Sequence, residues 1–281
     1  MRYETIYLTE HFPQLKGEGC NPRLEIYLPE AMAEMGWGDK KRPCVFICPG
    51  GGYHGVSRRE AEPIALKFLE QGYNVFVLTY SVAPHRFPQQ LREVAAAMEL
   101  IHANADEWLC DVENVAIVGF SAGGHLAASL GTLWIKKEIY EALDMPYGYN
   151  KPSGMMLVYP VISADPTFGH MGSFCNLLGS TEPAQDLLDA ASIEKNVTPE
   201  ACPAYIVHTS NDEIVNVKNS LALANAYAEA GMTFELHIYP DGPHGMALAN
   251  RITECGNVKW VDECFADWVQ NAVKWAEKFG V

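Results

Sequence analysis

Residues 115–125 of this 281-residue chain read Val-Ala-Ile-Val-Gly-Phe-Ser-Ala-Gly-Gly-His, and this stretch limits the fold more tightly than any other. Val115 to Val118 is rich in β-branched residues and predicts a buried strand. It runs into Gly119-Phe120-Ser121-Ala122-Gly123, and an Ala/Leu-rich helical stretch follows. Strand, Gly-x-Ser-x-Gly and helix in that order form a nucleophile elbow. The constraint is steric. A serine at so tight a turn brings its backbone against the residues two before and two after it. Glycine at 119 and 123 leaves no Cβ to clash there. The turn lifts the Ser121 hydroxyl above the sheet edge, at the start of the next helix. The five-residue pattern alone is a weak signal, because a glycine-rich turn with a serine N-cap carries the same residues. Its context between strand and helix, and two further motifs downstream, strengthen it.

Strands and helices alternate along the rest of the chain. Hydrophobic patterning predicts strands at 5–8, 23–28, 42–48, 74–80, 155–159, 204–209 and 233–239. Helices are predicted at 61–70, 89–105, after Ser121, at 218–230 and at 263–279. In the second of these, Leu91, Val94, Ala95, Met98 and Ile101 share one face. Such alternation predicts an α/β fold with a mostly parallel central sheet and helices on both faces, the earliest strands adding an antiparallel edge. Residues 163–200 carry Pro166, Gly169, Gly172, Gly179 and Pro183 and predict an irregular, cap-like insertion over the active-site face. No linker, repeat or low-complexity tract interrupts residues 1–281, which are expected to form one domain.

Composition narrows the partners. A formal net charge of -15 argues against nucleic acid and anionic membrane surfaces. No apolar run approaches membrane-spanning length, and Met1 to Leu8 has no apolar signal region. The eight cysteines include no Cys-x-x-Cys pair, so a zinc knuckle is not expected. Cys44 and Cys48 sit on one predicted strand, roughly 13 Å apart by strand rise, too far for a disulfide. A reducing, cytoplasmic setting fits these cysteines best. The sequence leaves assembly into homo-oligomers open.

In an open α/β sheet, function gathers at the carboxyl ends of strands, and three predicted strand ends carry chemistry. The strand at 42–48 ends in Pro49-Gly50-Gly51-Gly52-Tyr53-His54, whose backbone N–H groups could form an oxyanion hole, with Ala122 N–H as second donor. Ser121 is the second. The third has two parts. One strand ends in His208-Thr209-Ser210-Asn211-Asp212-Glu213, and the next in Tyr239-Pro240-Asp241-Gly242-Pro243-His244-Gly245. A hydroxyl is a poor nucleophile near neutral pH and needs a base and a carboxylate to orient that base. Ser, then Asp, then His is the chain order this chemistry takes on an α/β sheet. Among nine histidines His244 is favoured as the base, because a Pro/Gly-flanked loop leaves it free to turn to the serine. His208 competes for that role. A buried, hydrogen-bonded place suits His125 better, and His237 lies inside a strand. For the acid, Asp212 is favoured over Glu213 and Asp241. Tyr53 and His54 are candidate substrate contacts, offering flat surfaces to a ring.

With these motifs the chain resembles the α/β-hydrolase superfamily over nearly its whole length. It is most similar to the carbohydrate-esterase-like branch that holds acetyl xylan esterases and related small sugar esterases. The matching stretches are Pro49 to Tyr53, Tyr80-Ser81-Val82-Ala83-Pro84, Gly119 to Leu126, and Gly242-Pro243-His244-Gly245. Pro49 stands where lipase-like relatives place a histidine before the glycines, which points towards the sugar-esterase branch. The resemblance implies Ser121 as nucleophile, Asp212 as acid, His244 as base, and Gly51 or Gly52 with Ala122 as oxyanion donors. It implies a small-molecule ester substrate, an acetylated sugar such as an acetylated xylo-oligosaccharide, with no metal or organic cofactor. His170-Met171-Gly172-Ser173 also resembles a recurrent segment of such hydrolases, without an assigned role. Competing expectations are a feruloyl-type esterase, a formamide hydrolase or a small peptidase on the same scaffold, or a binding module that kept the fold.

Overall fold

The computed structural model describes residues 1–280. Eight strands form one sheet: β1 Arg2–Tyr7, β2 Arg23–Leu28, β3 Arg42–Cys48, β4 Asn74–Thr79, β5 Cys110–Phe120, β6 Gly154–Val158, β7 Ala204–Thr209 and β8 Phe234–Tyr239. Their spatial order is β1-β2-β4-β3-β5-β6-β7-β8. β2 pairs antiparallel with both β1 and β4, and every pair from β4 to β8 is parallel. The expected parallel sheet with an antiparallel edge is therefore present.

The strand sequences explain why this sheet is covered on both faces. Val45, Ile47, Val118 and Val207 belong to one buried cluster, under the helices Glu62–Glu70 and Trp268–Phe279. Phe46, Ile117, Leu157 and Ile206 belong to the other, under Gln89–Ala103, Ser121–Leu133 and Lys218–Glu229. Neighbours along a strand point to opposite faces, so a continuous apolar run fills both layers.

Strand order places the chemistry. The chain steps from β3 outward to β4, then crosses back to lay β5 on the other side of β3. At this reversal the carboxyl ends of β3 and β5 lie side by side, with Cys48 paired to Gly119. Such a switch point leaves a crevice open for a ligand.

The first strand runs from Arg2 to Tyr7 rather than over 5–8, and three further elements differ from the sequence expectation. β5 begins at Cys110 rather than Val115, because its polar start, Asp111 to Asn114, is only partly buried and hides the strand from hydrophobic patterning. The closing helix is interrupted at Asp267 into Glu263–Ala266 and Trp268–Phe279. Residues 163–200 are not irregular throughout: they hold helices Met171–Leu178 and Gln185–Ala191. Both are short, and the first contains Gly172, Ser173 and Asn176, residues of weak helix propensity. Packing of Phe174, Leu177 and Leu178 into the core stabilises it instead. None of the eight cysteines forms a disulfide.

Candidate active site

Ser121 follows β5 with φ +52°, a left-handed conformation rarely adopted by a residue with a side chain. The expected crowding around it is found. A Cβ on Gly119 would lie 2.4 Å from the Gly123 carbonyl oxygen, and one on Gly123 would lie 2.1 Å from that of Cys48. Both glycines are thus required by backbone contact, one with the elbow itself and the other with the end of β3.

The Ser121 Oγ lies 2.9 Å from His244 Nε2, and His244 Nδ1 lies 2.7 Å from Asp212 Oδ2. The other Asp212 oxygen accepts the N–H groups of Ile214 and Val215, each at 2.9 Å. Burial works against the Asp212 charge, but hydrogen bonds from His208 and His244, the His244 charge and the Val215 N–H outweigh it. The carboxyl is held well below the usual carboxylate range. A fixed anion behind the imidazole favours Nδ1–H, which leaves Nε2 free to take a proton from the serine.

The rejected candidates have structural places. His208 is fully buried; its Nδ1 meets Ser220 Oγ at 2.8 Å, and its Nε2 lies 2.9 Å from the Val215 carbonyl and 3.3 Å from Asp212 Oδ2. It therefore braces Asp212 from behind and does not reach Ser121. His125 is buried between the Tyr53 hydroxyl at 2.7 Å and the Ala191 carbonyl at 2.8 Å, and burial pushes its pKa down to about 4. His237 faces Glu235 on β8. Asp241 accepts from the Asn211 amide, and Glu213 is exposed.

The glycine loop after β3 faces the elbow: a Cβ on Gly50 would stand 3.0 Å from Ser121 Cβ. Gly51 and Gly52 adopt φ +134° and +62°. Among the described residues, the N–H groups of Gly51, Gly52 and Tyr53 find no hydrogen-bond acceptor. Ala122 N–H belongs to the first turn of the Ser121–Leu133 helix, where backbone donors have no intrahelical partner. Gly51, Gly52 and Ala122 are the oxyanion donors expected from the sequence; the Tyr53 N–H is not among them.

Tyr53, expected as a substrate contact, is not one. Its side chain is 1 % exposed, packs edge-on against Tyr80, and spends its hydroxyl on His125. The ring is core and offers no face to a substrate; its φ of +58° continues the left-handed turn of the glycine loop. His54, in contrast, is exposed at the loop tip.

Three supporting residues escaped sequence reasoning. Glu60, 4 % exposed, accepts the Gly50 N–H at 2.8 Å and the Tyr159 hydroxyl at 2.8 Å. Tyr159, at the end of β6, accepts the Ala247 N–H at 2.9 Å and sets its ring edge-on to His244 at 4.9 Å. Glu60 and Tyr159 so tie the glycine loop to the histidine loop. Asn176, on the Met171–Leu178 helix, donates to the Gly52 carbonyl at 2.8 Å. Position at a strand end could have flagged Tyr159. Nothing local marks Glu60 or Asn176. Just before this helix His170 Nδ1 pairs with Ser173 Oγ at 2.8 Å, and burial, with His244 nearby, lowers the His170 pKa.

This sheet order, with a serine, histidine and aspartate joined at its carboxyl ends, defines an α/β hydrolase. The BD-FAE family profile matches residues 24–227, and the chain belongs to that family. It is 34% identical over 250 residues to endo-1,4-beta-xylanase B of Butyrivibrio fibrisolvens, covering 86% of this chain and 36% of that protein. It is 30% identical to an acetylxylan esterase of Xylanibacter ruminicola, covering 71% of this chain and 40% of that one. The chain thus spans well under half the length of these curated relatives. Among solved structures, the acetyl ester-xyloside bifunctional hydrolase of Caldicellulosiruptor lactoaceticus superposes with TM-score 0.83 at 32% identity, covering 99% of this chain and 97% of that one. A carboxylesterase of Lactobacillus plantarum superposes with TM-score 0.84 at 26% identity, covering 100% and 98%. No described helix is long and apolar enough to cross a membrane.

Proposed function

We propose that this protein is a serine carboxylic ester hydrolase acting on small acyl esters of sugars, acetylated xylo-oligosaccharides above all. The observation that carries the reading is the hydrogen-bonded chain Ser121–His244–Asp212 beside a loop of unpartnered N–H groups. Similarity to an acetylxylan esterase and to an acetyl ester-xyloside bifunctional hydrolase supports the substrate class. Xylanase activity, named for the Butyrivibrio relative, is not expected of this site. An imidazole-activated hydroxyl attacks an acyl carbon, whereas glycoside hydrolysis calls for two carboxyls flanking the bond.

In the first half-reaction Ser121 Oγ attacks the ester carbonyl while His244 Nε2 takes its proton. Asp212 holds the imidazolium. The N–H groups of Gly51 or Gly52 and of Ala122 receive the oxyanion. His244 protonates the departing sugar oxygen, leaving an acyl-Ser121. Water then attacks that acyl group with His244 as base, releases the carboxylic acid and restores the serine. Residues 1–281 act as one domain in this reading, with 163–200 as a cap that reaches the glycine loop through Asn176.

The test is acetate release from acetylated xylo-oligosaccharides, with Ser121→Ala as blank. Release that disappears in the variant supports both nucleophile and substrate. Cleavage of a simple aryl acetate without release from the oligosaccharide discards the sugar ester and keeps the serine chemistry.

Asn176 serves as a positioning residue in this scheme, since its amide orients the Gly52 peptide. Loss of an oxyanion donor costs about 10²–10³ in kcat, so loss of a brace should cost less. Asn176→Ala is expected to lower kcat about tenfold with KM nearly unchanged. A rise in KM at constant kcat would assign Asn176 to substrate binding instead.

A further inference from the structure

A polar pocket of about 680 Å³ opens beside His244, between the loops after β7 and β8 and the segment around Asn257 to Asp262. We propose that it is the subsite for the alcohol half of the ester, and that it takes a neutral oligosaccharide with one sugar ring laid on Trp260. The proposal rests on the serine esterase reading and adds to it a location, a contact and a charge preference.

Location follows from the proton. In acyl transfer the group that protonates the leaving oxygen must stand on the alcohol's side of the scissile bond. His244 is that group, and it lines this pocket. The volume lies within the range of specific small-molecule sites, with room for more than one sugar ring.

Chemistry follows from the walls. Trp260 is half-buried and lines the pocket. The Arg59 guanidinium lies 3.9 Å from its ring centroid and also donates to the carbonyls of Gly245, at 2.9 Å, and Thr253, at 2.8 Å. One side chain therefore fixes both the indole and the residue next to His244. A flat, immobilised indole suits the apolar C–H face of a pyranose. Around it stand groups that serve hydroxyls. Asn257 turns its side-chain oxygen to the Lys259 N–H and keeps its amide, and Asp262 caps Phe265 with one oxygen and keeps the other. A lipid-like alcohol would strand these polar groups without partners.

Charge selects further. Glu213, Asp241 and Asp262 line the pocket against the ammonium of Lys259, the Arg59 guanidinium lying against Trp260 outside the lining. In a chain of net charge -15 this repels an anionic leaving group, such as a uronate-bearing sugar, and leaves a neutral polyol favoured.

The experiment measures inhibition of p-nitrophenyl acetate hydrolysis by xylotriose and by its glucuronic-acid-substituted counterpart. Xylotriose should compete, and the acidic sugar should bind about fivefold or more weakly at low salt. Trp260→Ala should raise the xylotriose inhibition constant about tenfold, with Trp260→Phe in between. Glu213→Gln, at an exposed position, should narrow the gap between the neutral and acidic sugars, and it keeps the test alive if Trp260→Ala does not fold. Absence of competition, an inhibition constant indifferent to Trp260, or equal binding of both sugars would overturn the proposal. Aryl acetate hydrolysis that vanishes in Ser121→Ala establishes the serine esterase chemistry separately, so a failure with the sugars counts against the pocket and its sugar and leaves that chemistry standing.

Discussion

Ser121→Ala is expected to remove turnover on every ester, with a fall in kcat of about 10⁴-fold or more. The fold should survive. The Ser121 side chain makes one hydrogen bond, to His244, and its backbone strain remains in the alanine variant. Thermal unfolding should therefore shift by only a few degrees. A phosphonate probe reads the same residue independently: the wild-type protein should gain one adduct, at Ser121, and the variant none. Turnover retained above about one per cent, or an adduct elsewhere, would remove Ser121 as nucleophile.

Asp212→Asn has the second largest expected effect, a fall in kcat of about 10³–10⁴-fold. The amide can still meet His244 Nδ1, but through its NH₂ group, which puts the ring proton on Nε2 and leaves nothing to accept from Ser121. KM should change little, because Asp212 is buried behind the histidine. The same carboxyl governs an acid-stability term. Its pKa is lower in the folded chain than the unperturbed 3.8, so the unfolded chain takes up the proton first as the pH falls. The stability contributed by Asp212 is fully present above about pH 5 and declines as the pH drops through 3.8 and below. Denaturant midpoints should show the wild-type advantage over Asp212→Asn shrinking through that window. A constant or growing advantage would contradict the geometry around His208, His244 and Val215.

Much of this arrangement was legible in the chain. The elbow is a local device: the contacts that require Gly119 involve residues up to Ala127, and the preceding strand is visible in the β-branched Val115, Ile117 and Val118. The glycine loop announces its freedom by composition. Chain order narrows the acid and the base to the segments after the strands at 204–209 and 233–239, but Glu213 and Asp241 share that position with Asp212, and only the fold shows Asp212 meeting His244. The failures are equally physical. Tyr53 looked like an exposed loop aromatic, yet Tyr80 and His125, reached only through the fold, bury its ring. The Met171–Leu178 helix has weak propensity and owes its existence to the core that it covers.

Elements whose causes act over a few residues, the turn at Ser121 and the strands with continuous apolar runs, were therefore decided by the amino-acid order. The contacts that give those elements a use were not. Ser121 and His244 are separated by 123 positions, Glu60 and Tyr159 by 99, and Asn176 and Gly52 by 124. No local pattern encodes such pairs. They arise because burying both faces of the sheet imposes one strand order, and that order brings the ends of β3, β5, β7 and β8 to a single edge.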